Sequence, residues 1–229
     1  MSSIGSFTFP SRQTAVDIQL RFVEGRTRKV VRVDTILLGS GTLSEFLSEV
    51  AALEGEIEKF DHGEATLSVT DGRYYHGRRL SQQRTLDETA RFAAFELRFL
   101  TEDRFERSTD LHQSGKTITA SGDTLVINQT GNAESRPETI LTATGDLVKP
   151  CISDGERSIT YDDTLSAGSN IVLDSDFQTA VLDGTENVLP KMSGSLVLLP
   201  PGNTTLTYTD DVTSTHSGSL LVKFRDTWV

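Results

Sequence analysis

The sequence predicts a mainly β protein: an N-terminal β-barrel or sandwich carrying one helix, followed by a two-sheet sandwich of the jelly-roll kind. Three observations predict it. From Lys116 to Val229 the chain is a run of short apolar segments separated by turn residues, with no helical period between them. Apolar residues recur at helical spacing in one segment only, where Leu43, Phe46, Leu47, Val50 and Leu53 fall on a single stripe. The charge balance also shifts along the 229 residues: 15 Lys+Arg stand against 18 Asp+Glu in residues 1–110, but 7 against 15 in residues 111–229. The polar stretch Arg107 to Gln113 lies at that shift and is the expected boundary between domain 1–110 and domain 111–229.

Each element has its own signal. Residues 15–23 alternate Asp17, Gln19 and Arg21 with Ile18, Leu20 and Phe22, the period of a half-buried strand, and pair through a turn at Gly25 with a strand over residues 29–38. The helix, about 43–54, opens on Thr42 and Glu45 at capping-box spacing and is expected to stop at Gly55. Strands resume over residues 65–69, turn at Asp71-Gly72, continue over residues 73–80, and end with Phe95, Leu97 and Phe99 alternating with Glu96 and Arg98. The second domain has candidate strands at 117–120, 124–128, 138–144, 147–152, 158–161, 170–174, 179–183, 194–199, 204–209 and 218–225. Pairs such as Gly145-Asp146 and Asp183-Gly184 and the run Pro201-Gly202-Asn203 separate them, residues that accept positive φ or fix a turn.

Composition narrows the function. A net charge of −11 and a pI near 4.8 repel a phosphate backbone, so sequence-specific nucleic-acid binding is not expected. No stretch approaches the ~18 apolar residues of a membrane span and no signal peptide is visible, so the chain is expected to be made in the cytoplasm without membrane insertion. The single cysteine, Cys151, allows no disulfide within the chain and is expected to be a small buried side chain in strand 147–152.

No catalytic, metal or cofactor constellation emerges, and no enzymatic activity is expected. His62, His76, His112 and His216 are dispersed and form no ligand motif. Gly39, Ser40 and Gly41 sit between a strand and a helix N-terminus, where amides hold phosphates, but lack a P-loop lysine; an ordinary turn is expected. Asp174-x-Asp176 starts like a calcium loop, yet Gln178 and Thr179 stand where the next ligand and the glycine belong. Stacking platforms for a saccharide would come from Tyr161, Phe177, Tyr208, Phe224 and Trp228, most of which are more economically read as core or interface residues. Arg73, Arg78, Arg79 and Arg84 with Tyr74 and Tyr75 make the one basic, aromatic patch, expected to contact an acidic neighbouring subunit.

Several segments, taken in order, carry a likeness to a known family. They are RYYHGRRL (Arg73 to Leu80), FELRFLTEDRFERS (from Phe95), GNAESRPETILTATG (Gly131 to Gly145), LSAGSNIVLD (Leu165 to Asp174), AVLDGTENVL (Ala180 to Leu189), LLPPGNTTLTY (Leu198 to Tyr208) and LLVKFRDTWV (Leu220 to Val229). Together they resemble the distal tail protein of long-tailed, non-contractile bacteriophages (siphophages), over residues 15–229. The family's D-P-[FY] corner reads Asp103-Arg104-Phe105 here. The resemblance implies a tail-tube-like β domain followed by a galectin-like sandwich. It further implies a homo-hexameric ring at the distal end of the tail tube, docked between the tube protein and the tail hub or central fibre protein. The outer sandwiches would form a platform for receptor-binding or side-fibre proteins, DNA would pass through the lumen, and the protein would reside in the virion tail tip. The alternative is a free-standing carbohydrate-binding, lectin-like sandwich.

Overall fold

The computed structural model describes residues 3–4, 7–8, 14–23, 26–39, 41–62, 66–68, 70, 72–101 and 105–229. The expected turns at Gly25 and Asp71, the strand start at Ala65, Ser40 and the Asp103-Arg104 corner fall outside them. Two compact units result, Met1–Thr109 and Asp110–Val229.

The first unit is a curled antiparallel sheet with one helix. Its strands are β1 (Ser3–Ile4), β2 (Phe7–Thr8), β3 (Thr14–Val23), β4 (Arg26–Leu38), β5 (Thr66–Ser68), β6 (Arg73–Asp87), β7 (Phe92–Thr101) and β8 (Glu106–Ser108), with α1 (Leu43–Lys59) between β4 and β5. The order is β2-β1-β5-β6-β7-β4-β3, and β8 pairs with the start of β6. Alternation along β4 and β7 puts Val31, Val33, Leu37, Ala93, Phe95, Leu97 and Phe99 on one face, against Phe46, Val50, Leu53 and Ile57 of α1.

Two elements differ from expectation. The helix passes through Gly55 to Lys59 because the apolar stripe continues: Ile57 and Phe60 are both fully buried. Burying two such side chains contributes roughly 2–3 kcal/mol each, which outweighs the ~1 kcal/mol cost of a mid-helix glycine. Strand β6 runs on to Asp87 through the polar sequence SQQRTLD. Its ladder with β7 skips Leu80, since Arg79 faces Phe99 and Ser81 faces Arg98. This bulge keeps Arg79, Gln82, Arg84 and Leu86 on the helix-covered face.

The second unit is a sandwich of two main sheets, built from β9 (His112–Ile118), β10 (Thr124–Gln129), β11 (Glu138–Ala143), β12 (Leu147–Val148), β13 (Cys151–Ser153), β14 (Ser158–Tyr161), β15 (Thr164–Leu165), β16 (Asn170–Asp174), β17 (Thr179–Leu182), β18 (Glu186–Asn187), β19 (Met192–Gly194), β20 (Gly202–Thr209) and β21 (Gly218–Phe224). One sheet runs β10-β20-β13-β14-β19 and the other β18-β17-β16-β11-β21-β9, while β12 and β15 form a separate pair. Ile127, Ile152, Ile159, Leu206 and Tyr208 from the first meet Leu141, Ile171, Leu173, Leu220 and Val222 from the second in one core.

The expected strand 147–152 is split at Lys149, whose φ is +47°, and at Pro150, which has no N–H to give a ladder. The expected strand 194–199 is displaced to Met192–Gly194; before Pro200 and Pro201 the chain keeps only a bridge between Ser135 and Leu199.

Candidate functional site

Most of the described residues singled out in the sequence hold structural contacts. The glycine turn before α1 is closed by the helix's own cap: Thr42 N–H donates to Glu45 Oε2 at 2.6 Å, and Glu45 N–H donates to Thr42 Oγ1 at 3.2 Å. A carboxylate thus occupies the place an incoming phosphate would need. At the calcium-like loop, Asp174 Oδ1 accepts from the amides of Asp176 (2.8 Å) and Phe177 (3.0 Å), and Asp176 pairs with Arg136. The loop is a capped hairpin turn. Among the described residues no group of three or more His, Cys, Asp and Glu is placed to hold a metal ion.

The histidines stay apart. His76 packs edge-on against Tyr74, and the side chain of His62 lies outside the described residues. His112 stacks on Phe224 with Nε2 3.3 Å from Asp226, and His216 Nδ1 lies 2.8 Å from Asp210. Both aspartates are buried and take further hydrogen bonds, Asp226 from the Thr130 amide and Asp210 from the Tyr208 hydroxyl at 2.7 Å. These pairs fasten the two ends of β21, a role the sequence did not signal because the partners are set by folding.

For Tyr161, Tyr208 and Phe224 the more economical reading holds: strand alternation turns them into the core, at 3%, 1% and 4% exposure. Of the five aromatics, Phe177 is exposed and Trp228 half-buried. One expectation is corrected: Cys151, expected to be buried, is half-buried and falls on the outer face of β13, because Ile152 takes the inward position. The basic patch is largely neutralised within its own unit: Arg79 pairs with Asp61 (2.6 Å), Arg84 with Glu54 (2.5 Å) and Arg73 with Glu106 (3.7 Å), while Tyr75 is buried beside Lys29.

Two surfaces stand out among the described residues. On the first unit's sheet, the face away from α1 carries Arg32, Asp34, Glu96 and Arg98 in linked pairs of 2.8–3.4 Å, next to exposed Ile36 and Leu38. Such exposed pairs stabilise little, but mixed charge beside apolar residues suits a protein contact. On the sandwich, the outer face of the five-stranded sheet is almost uncharged. Thr124, Thr207, Ser153 and Ser158 line up across four strands, with Thr209, Cys151, Thr160 and Ser193 in the next row. Beside them lies a cleft of about 360 Å³ walled by Asp154, Glu156, Arg157, Asn203 and Thr205. Burial pushes the Asp154 carboxyl up, but hydrogen bonds from the amides of Arg157, Leu198 and Glu156, with the Arg157 guanidinium, outweigh it and hold Asp154 below the ordinary value.

Set against solved structures, the chain matches SPP1 Dit (gp 19.1), described as a paradigm of the hub adsorption apparatus in phages infecting Gram-positive bacteria. The TM-score is 0.63 and the identity 15%, covering 99% of this chain and 92% of that one. The chain has the Dit fold. Both units of this chain lie within that coverage, so the likeness is not confined to one sandwich. A Listeria monocytogenes protein, lmo2446, crystallised with glucose, magnesium and calcium, aligns at a TM-score of 0.23 and 9% identity over 93% of this chain and 21% of that chain, and carries no argument. No family model matches the sequence, and no curated protein matches it.

Proposed function

We propose that this chain is a structural protein of a siphophage tail tip. In this reading the first unit assembles into a hexameric ring at the distal end of the tail tube, between the tube protein and the hub or central fibre protein. The sandwich is the outer platform for receptor-binding or side-fibre proteins, the lumen passes DNA, and the protein performs no catalysis. The observation that carries the reading is the Dit fold over 99% of the chain. The long ladder of β6, β7, β4 and β3 supports it, because among the described residues it ends on β3, a ten-residue edge that a neighbour in a ring would cover. An acidic chain also suits a DNA passage, since a basic lumen would hold phosphates by ion pairing.

Negative-stain microscopy of the purified chain, alone and with tail tubes, tests the proposal. Rings of six with a central hole, or capping of tube ends, are the expected result. A chain that stays monomeric and never joins tubes would sink it. The lectin alternative loses its best residues with Tyr161 and Tyr208 in the core.

A further inference from the structure

Strands at a sheet edge leave backbone groups without ladder partners, and sandwiches shorten, charge or cover such edges. Three edges of this sandwich follow the rule. Strand β18 has two residues beginning with Glu186, β19 has three residues ending at Gly194, and β9 carries Lys116. The fourth edge, β10, does not. It reads Thr-Leu-Val-Ile-Asn-Gln, six residues without charge or proline, and Val126 at its centre is 60% exposed.

The hydrogen-bonding phase of β10 follows from its first contact. Tyr208 N–H donates to the Asp123 carbonyl at 2.8 Å, and Leu125, Ile127 and Gln129 stand opposite Leu206, Thr204 and Gly202. Because bonded pairs alternate in an antiparallel ladder, these three residues share the phase of Asp123 and bond to β20. Thr124, Val126 and Asn128 therefore turn their N–H and C=O groups to the open edge.

We propose that this edge pairs antiparallel with the same edge of a second copy of the chain, with the two Val126 residues facing each other across a two-fold axis. The segment is self-complementary about that residue. Val126 exchanges hydrogen bonds with its counterpart, and Thr124 with Asn128 of the second copy on each side, roughly six bonds in all. No charge on β10 meets a like charge, the feature that ordinarily prevents self-pairing. The carboxylates at the two ends of the strand are already engaged within the chain, Asp123 by the amides of Thr119 and Ala120 and Asp226 by the amide and hydroxyl of Thr130. On the outer face each Val126 covers the other, and each Thr124 hydroxyl meets an Asn128 amide. The contact is isologous, joins two five-stranded sheets into one, and stands independently of the ring.

Cross-linking of the full chain tests the pairing. With Cys151→Ser as background, the chain's only native thiol is removed. Val126→Cys then places two thiols on facing residues with Cα atoms about 5.5 Å apart, within disulfide reach. Mild oxidation is expected to give covalent dimers. Thr205→Cys, also exposed and one strand inward on the same row, is expected to give none. In a separate variant, Val126→Lys sets two ammonium groups opposite each other and is expected to weaken dimerisation about tenfold in sedimentation velocity. Cross-linking of Val126→Cys no faster than Thr205→Cys, or sedimentation of Val126→Lys like the unaltered chain, overturns the pairing. Microscopy of the same samples separates the two proposals: rings without the cross-link sink the pairing alone, and cross-linked dimers without rings sink the ring alone.

Discussion

Asp154 has 3% side-chain exposure, and its carboxylate accepts hydrogen bonds from the amides of Arg157 (2.7 Å), Glu156 (2.9 Å) and Leu198 (3.1 Å). The bond from Leu198 ties the β13–β14 hairpin to the approach to β20. Its folded-state pKa lies below the ordinary value of 3.8, so the unfolded chain binds this proton more readily. The sign follows: the stabilisation is fully present above pH 3.8 and is lost as pH falls through the lower folded value. Asp154→Asn keeps the shape and removes the charge, and is expected to cost about 2 kcal/mol near neutrality. Urea midpoints measured from pH 7 to pH 2 check it, with the variant less sensitive to acid than the parent. Equal midpoints at pH 7 would show that the charge contributes nothing. None of this was legible in the sequence, where Asp154-Gly155 is one turn signal among several; the third amide comes from a residue 44 positions away.

At the scale of elements, legibility followed period. The helix was readable because five apolar residues repeat at helical spacing and Thr42 with Glu45 forms the capping box. Its end was not, because a glycine stops a helix only where no burial continues beyond it, and Ile57 and Phe60 do continue it. The polar half of β6 was hidden for a related reason: its partners are the β7 ladder and the acids Glu54 and Asp61, supplied by tertiary structure. Gly55 also gives a direct prediction. It is exposed, in helical conformation, and a Cβ built there meets nothing within 4 Å. Gly55→Ala is therefore expected to stabilise the first unit by about 1 kcal/mol, seen as a higher midpoint in thermal unfolding followed by circular dichroism. A lower midpoint would mean that this side of α1 is covered by something the isolated chain does not show.

On the scale of the whole molecule, the deciding feature is that each unit has its own closed core. Phe46, Leu53, Phe95 and Phe99 belong to one and Ile127, Leu206, Tyr208 and Val222 to the other, and among the described residues none is common to both. The turn-punctuated strand pattern made the sandwich legible, whereas the residues facing its core became certain only from register, as Tyr161 and Tyr208 show. Two cores imply two cooperative transitions. Phe46→Ala removes a fully buried ring from the first core and Leu206→Ala a fully buried side chain from the second, each expected to cost roughly 3–4 kcal/mol. In calorimetry of the full chain, Phe46→Ala is expected to lower one endotherm and Leu206→Ala the other, each leaving its companion within a degree or two. A single endotherm that both substitutions shift equally would show that the units unfold as one. If the proposed ring is built by the first unit, Phe46→Ala should also reduce ring formation at elevated temperature, while Leu206→Ala leaves rings intact and strips the outer density. That asymmetry links stability to assembly, because it assigns the ring to one core and the platform to the other.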